Sequence, residues 1–322
     1  MDTRQPTKRR FAAGTGTTAL AVLLLLCASA LVSACGGSST AASSSPSATT
    51  TAPVASPTVV PAAEPISSWD APGSALPAQA LAAARRYAAA LTTEKIPKAG
   101  LYASDATWDY SPSDMHVQGA KEIEGIYRDA ASSVDWPKRN HLLAAPGVGV
   151  YEGVATFYGA RSTPSLTLLA VDGSRVVHEE IFLNEGVAGP VRYGDSAPGP
   201  KDTAKVAAKV GAAVGAAFAT GDQAALQALV APDVLFRDIS VPRGVRGRDA
   251  LLAWWDQVPA LTLENKKQIS GPGWAVGRWT IRQVFSTGVE LAMPGASVME
   301  VRNGKVVRMT LYYNSSVMRL QM

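Results

Sequence analysis

The chain has 322 residues, 47% of them hydrophobic, and 30 basic against 26 acidic side chains give a net charge of +4. That length suffices for two domains of ordinary size, and the near-neutral balance removes the electrostatic basis for nucleic-acid binding. Cys27 and Cys35 are the only cysteines, so no disulfide framework staples the fold and its stability must come from packed cores.

Lys8, Arg9 and Arg10 precede an apolar run from Leu20 to Leu26, and small residues then lead through Leu31-Val32-Ser33-Ala34 into Cys35. A basic start, a short apolar run and small residues at the end read as a secretory signal peptide over residues 1–34. The stretch Ala19 to Ala34 is interrupted by Ser29 and Ser33 and falls short of the ~20 apolar residues of a spanning helix. The ending Val32-Ser33-Ala34-Cys35 resembles the lipobox of bacterial lipoproteins. The resemblance implies cleavage before Cys35, a diacylglycerol joined to its sulfur by a thioether, with palmitate among the acyl groups, and a lipid anchor on the extracytoplasmic face of the cell membrane. Membrane lipid is then a partner, because two acyl chains hold a protein stably where one is marginal.

Residues 35–66 are almost entirely Ser, Thr, Ala, Pro and Gly. No core can form from them, so they read as a disordered tether. Ser74 is placed to cap a helix in which Leu76, Ala80, Ala84, Tyr87 and Leu91 recur at three- and four-residue steps, putting Tyr87 on the buried stripe. A second helix beyond Lys201 carries the stripe Val210, Val214, Ala217 and Phe218, weakened by Gly211 and Gly215 at ~1 kcal/mol each relative to alanine.

Both helices lead into related sequence. Thr92, Ala103, Asp105, Val117 and Gly119 recur as Thr220, Ala231, Asp233, Val245 and Gly247 at a constant offset of 128, and residues 171–184 align without a gap on 301–314 at an offset of 130. The chain is thus an internal duplication, residues 75–185 and 203–322, joined by a Gly- and Pro-rich linker over 186–202. Each half reads as helix, short helix, strand, helix, then three alternating strands, the last two joined by Asp172-Gly173 or Asn303-Gly304. Helices followed by runs of strands predict an α+β class.

The ordered pieces Phe218 to Leu226, Ala231 to Phe236 and Val245 to Leu251 resemble the SnoaL-like, or nuclear transport factor 2-like, superfamily. The resemblance implies tandem cone-shaped domains, each a curved antiparallel sheet packed on helices around a pocket, paired sheet to sheet as a pseudo-dimer within one chain. Relatives include ketosteroid isomerases, polyketide cyclases, dehydratases and domains that only bind, so fold alone does not choose a function. In the isomerases a tyrosine on the first helix and a protonated carboxyl bind an oxyanion while an aspartate moves the proton. The tyrosine position matches Tyr87 and the base position Asp238; Gly215 and Tyr110 stand at the corresponding places of the opposite halves, and the second carboxyl position falls near Thr167 and Ser297. Neither half completes the set.

Strand alternation turns one of Glu179 and Glu180 inward, and the parity of Val177, Ile181 and Leu183 with the partner Met309 selects Glu179. An inward carboxyl suits a general acid or base, or is satisfied by a hydroxyl from Tyr87 or Tyr110. Asp238 has the same two readings, the second a bond to the loop from Ser240 to Gly244. Trp108 and Tyr110 share parity, and Phe236 takes the matching place in the second half. The candidate ligand-binding residues are therefore Tyr87, Trp108, Tyr110, Glu179, Phe236 and Asp238, with the first half as the pocket and Glu179 and Asp238 as the catalytic candidates. His116, His141 and His178 form no recognisable cluster, so no metal and no cofactor is expected. The reading that follows is non-catalytic binding of a small apolar ligand or of a protein partner. An isomerase-, cyclase- or dehydratase-type enzyme and a structural or regulatory module are the alternatives.

Overall fold

A computed structural model describes residues 73–93, 100–111, 113, 115–131, 133–135, 141–157, 161–184, 200–240, 244–257, 262–284 and 290–316. The leader, Cys35, the tether, most of the linker and the short helix expected in the first half lie outside these residues. Among the described residues no helix is long and apolar enough to cross a membrane.

The first half runs α1 (Pro77–Thr92), β1 (Tyr102–Tyr110), β2 (Met115–Gln118), α2 (Ala120–Ala130), β3 (Val134–Asp135), β4 (His141–Ala145), β5 (Val148–Phe157), β6 (Arg161–Asp172) and β7 (Arg175–Leu183). The second runs α3 (Ala204–Thr220), α4 (Gln223–Leu229), β8 (Val230–Asp238), β9 (Val245–Arg246), α5 (Arg248–Trp255), β10 (Thr262–Gly271), β11 (Trp274–Val284), β12 (Glu290–Arg302) and β13 (Lys305–Tyr313). The class is α+β, each sheet curling against helices. The strand orders correspond: β2-β1-β7-β6-β5-β3 with β4 also on β5, and β9-β8-β13-β12-β11-β10. In each sheet one neighbouring pair is parallel, β1 with β7 and β8 with β13. β4 and β10 add a strand to the expected three. Alternation did not reveal β10 because Glu264, Asn265, Lys266 and Lys267 form a polar run with a register shift between Asn265 and Lys267.

Local chemistry fixes the helix ends. Thr203 Oγ1 accepts from the Val206 amide at 3.3 Å to start α3, and Gly221, at φ 69°, ends it. α1 departs from expectation. Pro77 opens it and Gln79 Oε1 takes the Leu76 amide at 2.7 Å, whereas the Ser74 hydroxyl bonds Asp172. Leu76 accordingly lies outside the buried stripe, 66% exposed. Asn303 and Gly304, at φ 52° and 68°, make the tight turn between β12 and β13. The corresponding turn is Gly173-Ser174, since Asp172 still pairs with Arg175 in the ladder.

One face of each sheet lies under its own helix and the other against the opposite sheet. Leu166, Leu168 and Phe182 of the first half share a buried core with Val276, Val298 and Tyr312 of the second. Charged groups cross the same contact. Glu152, with no solvent exposure, receives Arg308 at 2.7 Å and the Tyr312 hydroxyl at 2.7 Å, and lies 2.6 Å from His141 Nδ1. Arg308 also donates to Glu300 at 2.7 Å, and Arg278 donates to Glu180 at 2.8 Å. His178 and Glu180 therefore face away from the interior of their own half yet are buried, because the second sheet covers them.

Candidate functional site

The two interiors follow one backbone plan and are furnished differently. In the first, Glu179 on β7 is fully buried among phenols. Tyr87 of α1 and Tyr127 of α2 donate to Oε1 at 2.7 and 2.5 Å, and Tyr102 of β1 donates to Oε2 at 2.6 Å. Tyr87 and Tyr127 hydroxyls lie 2.9 Å apart, and Thr167 Oγ1 is 3.4 Å from Tyr87. Burial pushes the Glu179 carboxyl up and the three hydroxyls hold it down, leaving it at about 7. Burial first, and then the Glu179 charge, push all three phenols well above their ordinary range. Trp108 stacks on Tyr110 at 5.7 Å between ring centres; its buried indole N–H makes no hydrogen bond but is near enough to favour the ionised carboxyl.

Tyr87, Trp108, Tyr110 and Glu179 thus come together as the strand parity requires, but they pack on one another. Tyr102 and Tyr127 complete the cluster and were missed. Tyr102 stands six residues before Trp108, an even spacing that gives it the same inward parity, so alternation along β1 carried its signal. Tyr127 stands 128 residues before Trp255, so the repeat itself carried its signal.

A cavity of about 490 Å³ lies in the second half instead. Its walls are Val214 and Phe218 of α3, Trp254 and Trp255 of α5, and Trp279, Met299, Met309 and Leu311 of the sheet. The repeat explains the opening: at Tyr87 stands Gly215, at Tyr102 Val230, and at Glu179 Met309. Gly211 and Gly215 also let the helix approach the sheet. A Cβ on Gly211 would lie 2.8 Å from Ala275 Cβ, and one on Gly215 2.8 Å from Asn265 Oδ1.

Asp238 ends β8 beside the cavity, on the same face as Phe236 and across from Leu311. Phe236 packs against Trp254 at 4.4 Å between ring centres. The Asp238 carboxyl accepts the Ser240 amide on Oδ1 at 2.8 Å and the Tyr313 hydroxyl on Oδ2 at 2.9 Å. Tyr313 Oη is also 2.9 Å from Ser240 Oγ. Burial raises the Asp238 carboxyl above its ordinary value against these two donors, and burial with the Asp238 charge raises Tyr313. The result is a partly desolvated acceptor, held in place by protein donors, on the wall of a largely apolar chamber whose lining also includes Asn265, Gln268, Arg278 and Ser297. Such a group orients a hydroxyl-bearing molecule or exchanges a proton with it.

His116 and His178 approach the same carboxylate, Asp109, with His178 Nε2 at 3.7 Å, while His141 lies apart. His116 Nδ1 lies 2.5 Å from Asp109, His141 meets Glu152, and His178 Nδ1 lies 2.8 Å from Thr107 Oγ1. Among the described residues no group of three His, Cys, Asp or Glu side chains is placed to hold a metal ion.

Residues 212–309, which carry most of the helices, the sheet and the chamber lining, match the family model of the SnoaL-like domain. Solved structures of similar fold include a nuclear transport factor 2-like protein of unknown function from Burkholderia pseudomallei, 20% identical over 35% of this chain and 94% of that one, TM-score 0.33. Others are IdmH of Streptomyces antibioticus, a candidate polyketide cyclase (22% identity, 35% and 95% coverage, TM-score 0.31), and a candidate ketosteroid isomerase of Kribbella flavida (16%, 34% and 78%, 0.30). At these identities the likeness concerns fold alone. No curated protein sequence matches the chain.

Proposed function

We propose that this protein is a lipid-anchored extracytoplasmic lipoprotein whose second half holds a small, largely apolar molecule. The first half is its closed companion in an internal pseudo-dimer of two SnoaL-like domains. The observation that carries the binding reading is the chamber of about 490 Å³ with Asp238 on its wall, a volume within the range of small-molecule sites. Aromatic and thioether side chains supply the apolar contact, and Asp238 supplies one directional hydrogen bond to a donor on the ligand. The first half supports the companion role because its own tyrosines and Glu179 occupy the corresponding interior.

The protein from Ile66 to Met322, purified from its native host and measured by native mass spectrometry, is expected to carry a discrete additional mass. Leu311→Trp, which places an indole where the ligand would lie, is expected to lose that mass and keep the wild-type unfolding midpoint. An unliganded wild type that also takes up no hydrophobic probe would sink the binding reading and turn attention to a protein partner.

A second reading is favoured by one feature, the raised Asp238 carboxyl facing the chamber. As a proton acceptor it would serve isomerase- or cyclase-type chemistry on a bound carbonyl compound. Asp238→Asn separates the two: binding predicts an affinity loss of about tenfold, the worth of one hydrogen bond. Catalysis predicts loss of turnover by a factor on the order of 10²–10⁴ with the ligand still bound. The membrane claim has its own test, release of the Cys35→Ser protein into the soluble fraction.

A further inference from the structure

The strand registers place the two halves' packing faces in one frame. Glu152 pairs with Leu166 as Arg278 pairs with Ala296, and Leu166 and Ala296 are equivalent at the offset of 130. Glu152 and Arg278 thus hold the same place in their respective sheets with opposite charge. Equivalence at the same offset also joins His178 to Arg308, Glu180 to Thr310 and Phe182 to Tyr312.

Across the contact, Glu152 meets Arg308 and Tyr312, while Arg278 meets Glu180. We infer that these faces are charge-coded so that each half accepts only the unlike half. Two first halves packed in the same way would set Glu152 against His178, Glu180 and Phe182, giving up the guanidinium and the phenol hydroxyl that satisfy it now. Two second halves would set Arg278 against Arg308. Either arrangement buries like or uncompensated charge, which is far more costly than a lost surface pair. The apolar part of the contact discriminates less by chemistry: Phe182 and Tyr312 hold corresponding places among aliphatic side chains, and Trp274 stands where the first half has Val148. The pairing partner of each sheet is therefore chosen by four charged side chains, and the surface that would otherwise build symmetric oligomers is reserved for the chain's own second half.

Reversing the code tests this. Residues 66–322 form one compact unit, and this protein is expected to sediment as a monomer at all concentrations. Glu152→Arg with Arg278→Glu makes each half complementary to itself: the arginine introduced at position 152 would face Glu180 of another copy, and the glutamate introduced at position 278 would face Arg308 of another copy. Concentration-dependent dimers of the double variant are the expected result. A double variant that stays monomeric with the wild-type unfolding midpoint overturns the inference.

Should that variant fail to fold, the local swap decides. Glu180→Arg and Arg278→Glu are each expected to lower the urea midpoint, and the two combined to recover at least half of the larger loss. Losses that simply add, or a swap that does not fold, overturn the inference as well.

Discussion

Arg308→Met is expected to cost about 3–5 kcal/mol of unfolding free energy at neutral pH, the usual consequence of leaving a buried charge without its partner. Arg308 is 7% exposed and lies between two carboxylates, Glu152 and Glu300, each 2% exposed or less. Methionine keeps much of the side-chain volume, so the loss reports charge rather than a cavity. Burial alone would raise Glu152; Arg308 and His141 reverse that and hold it at about 2, against 4.5 for an unperturbed group. A carboxyl depressed in the folded state contributes stability that is present above its unfolded value and lost as pH falls through its folded value. The deficit of Arg308→Met is therefore largest above pH 4.5 and shrinks between about 4.5 and 2, where the wild type protonates Glu152 and forfeits the same contribution. Urea titrations of both proteins across that interval measure it. Because Glu152 and Arg308 belong to opposite halves, amide exchange in β5 and β13 should quicken together. A deficit below about 1 kcal/mol, the scale of an exposed pair, would mean that the contact between the sheets rests on its apolar part alone.

The α+β class and the inward direction of Glu179 were legible because each rests on periodicity, which survives in a single sequence. Strand alternation placed Glu179, Trp108 and Tyr110 together, and helical spacing placed Tyr87 above them. What alternation does not encode is volume. Whether an interior is open depends on the sum of side chains from several elements: the same plan filled with Tyr87, Tyr102, Tyr127 and Glu179 is closed, and with Gly215, Val230, Trp255 and Met309 it leaves a chamber. Aligning the halves position by position shows the substitution of Gly215 for Tyr87, but its meaning appears only when the neighbours are counted with it. The charge pairing between the sheets was illegible for a different reason. Glu152, His178 and Arg308 have outward parity, which in an isolated sheet reads as solvent-facing; only the second sheet turns them into buried groups.

Glu179→Gln is expected to gain stability relative to the wild type as pH rises, by roughly 3 kcal/mol between pH 4.5 and somewhat above 7. The sign follows from the proton count. The carboxyl titrates at about 7 in the fold and 4.5 when unfolded, so over that interval the native protein holds a proton that the unfolded chain has released. A state that binds more protons is favoured by acid, and the wild type therefore loses stability as pH rises through the window. Glutamine cannot titrate and keeps a carbonyl oxygen for the phenols, so its protein shows no such loss. The wild-type profile by itself conceals the effect. Burial, Arg278 and His116 lower the His178 imidazole from 6.5 to about 3, and a base depressed in this way adds stability as pH rises from 3 to 6.5, against the trend from Glu179. Both proteins share that contribution, so the gap between them isolates the carboxyl. Urea midpoints of the two proteins at a series of pH values from about 4 to about 8 supply the gap. A gap that widens with pH establishes that the first half encloses a protonated carboxylic acid below about pH 7. A constant gap would mean that three phenol donors keep Glu179 ionised throughout, and the cluster would then be a buried anion satisfied by Tyr87, Tyr102 and Tyr127.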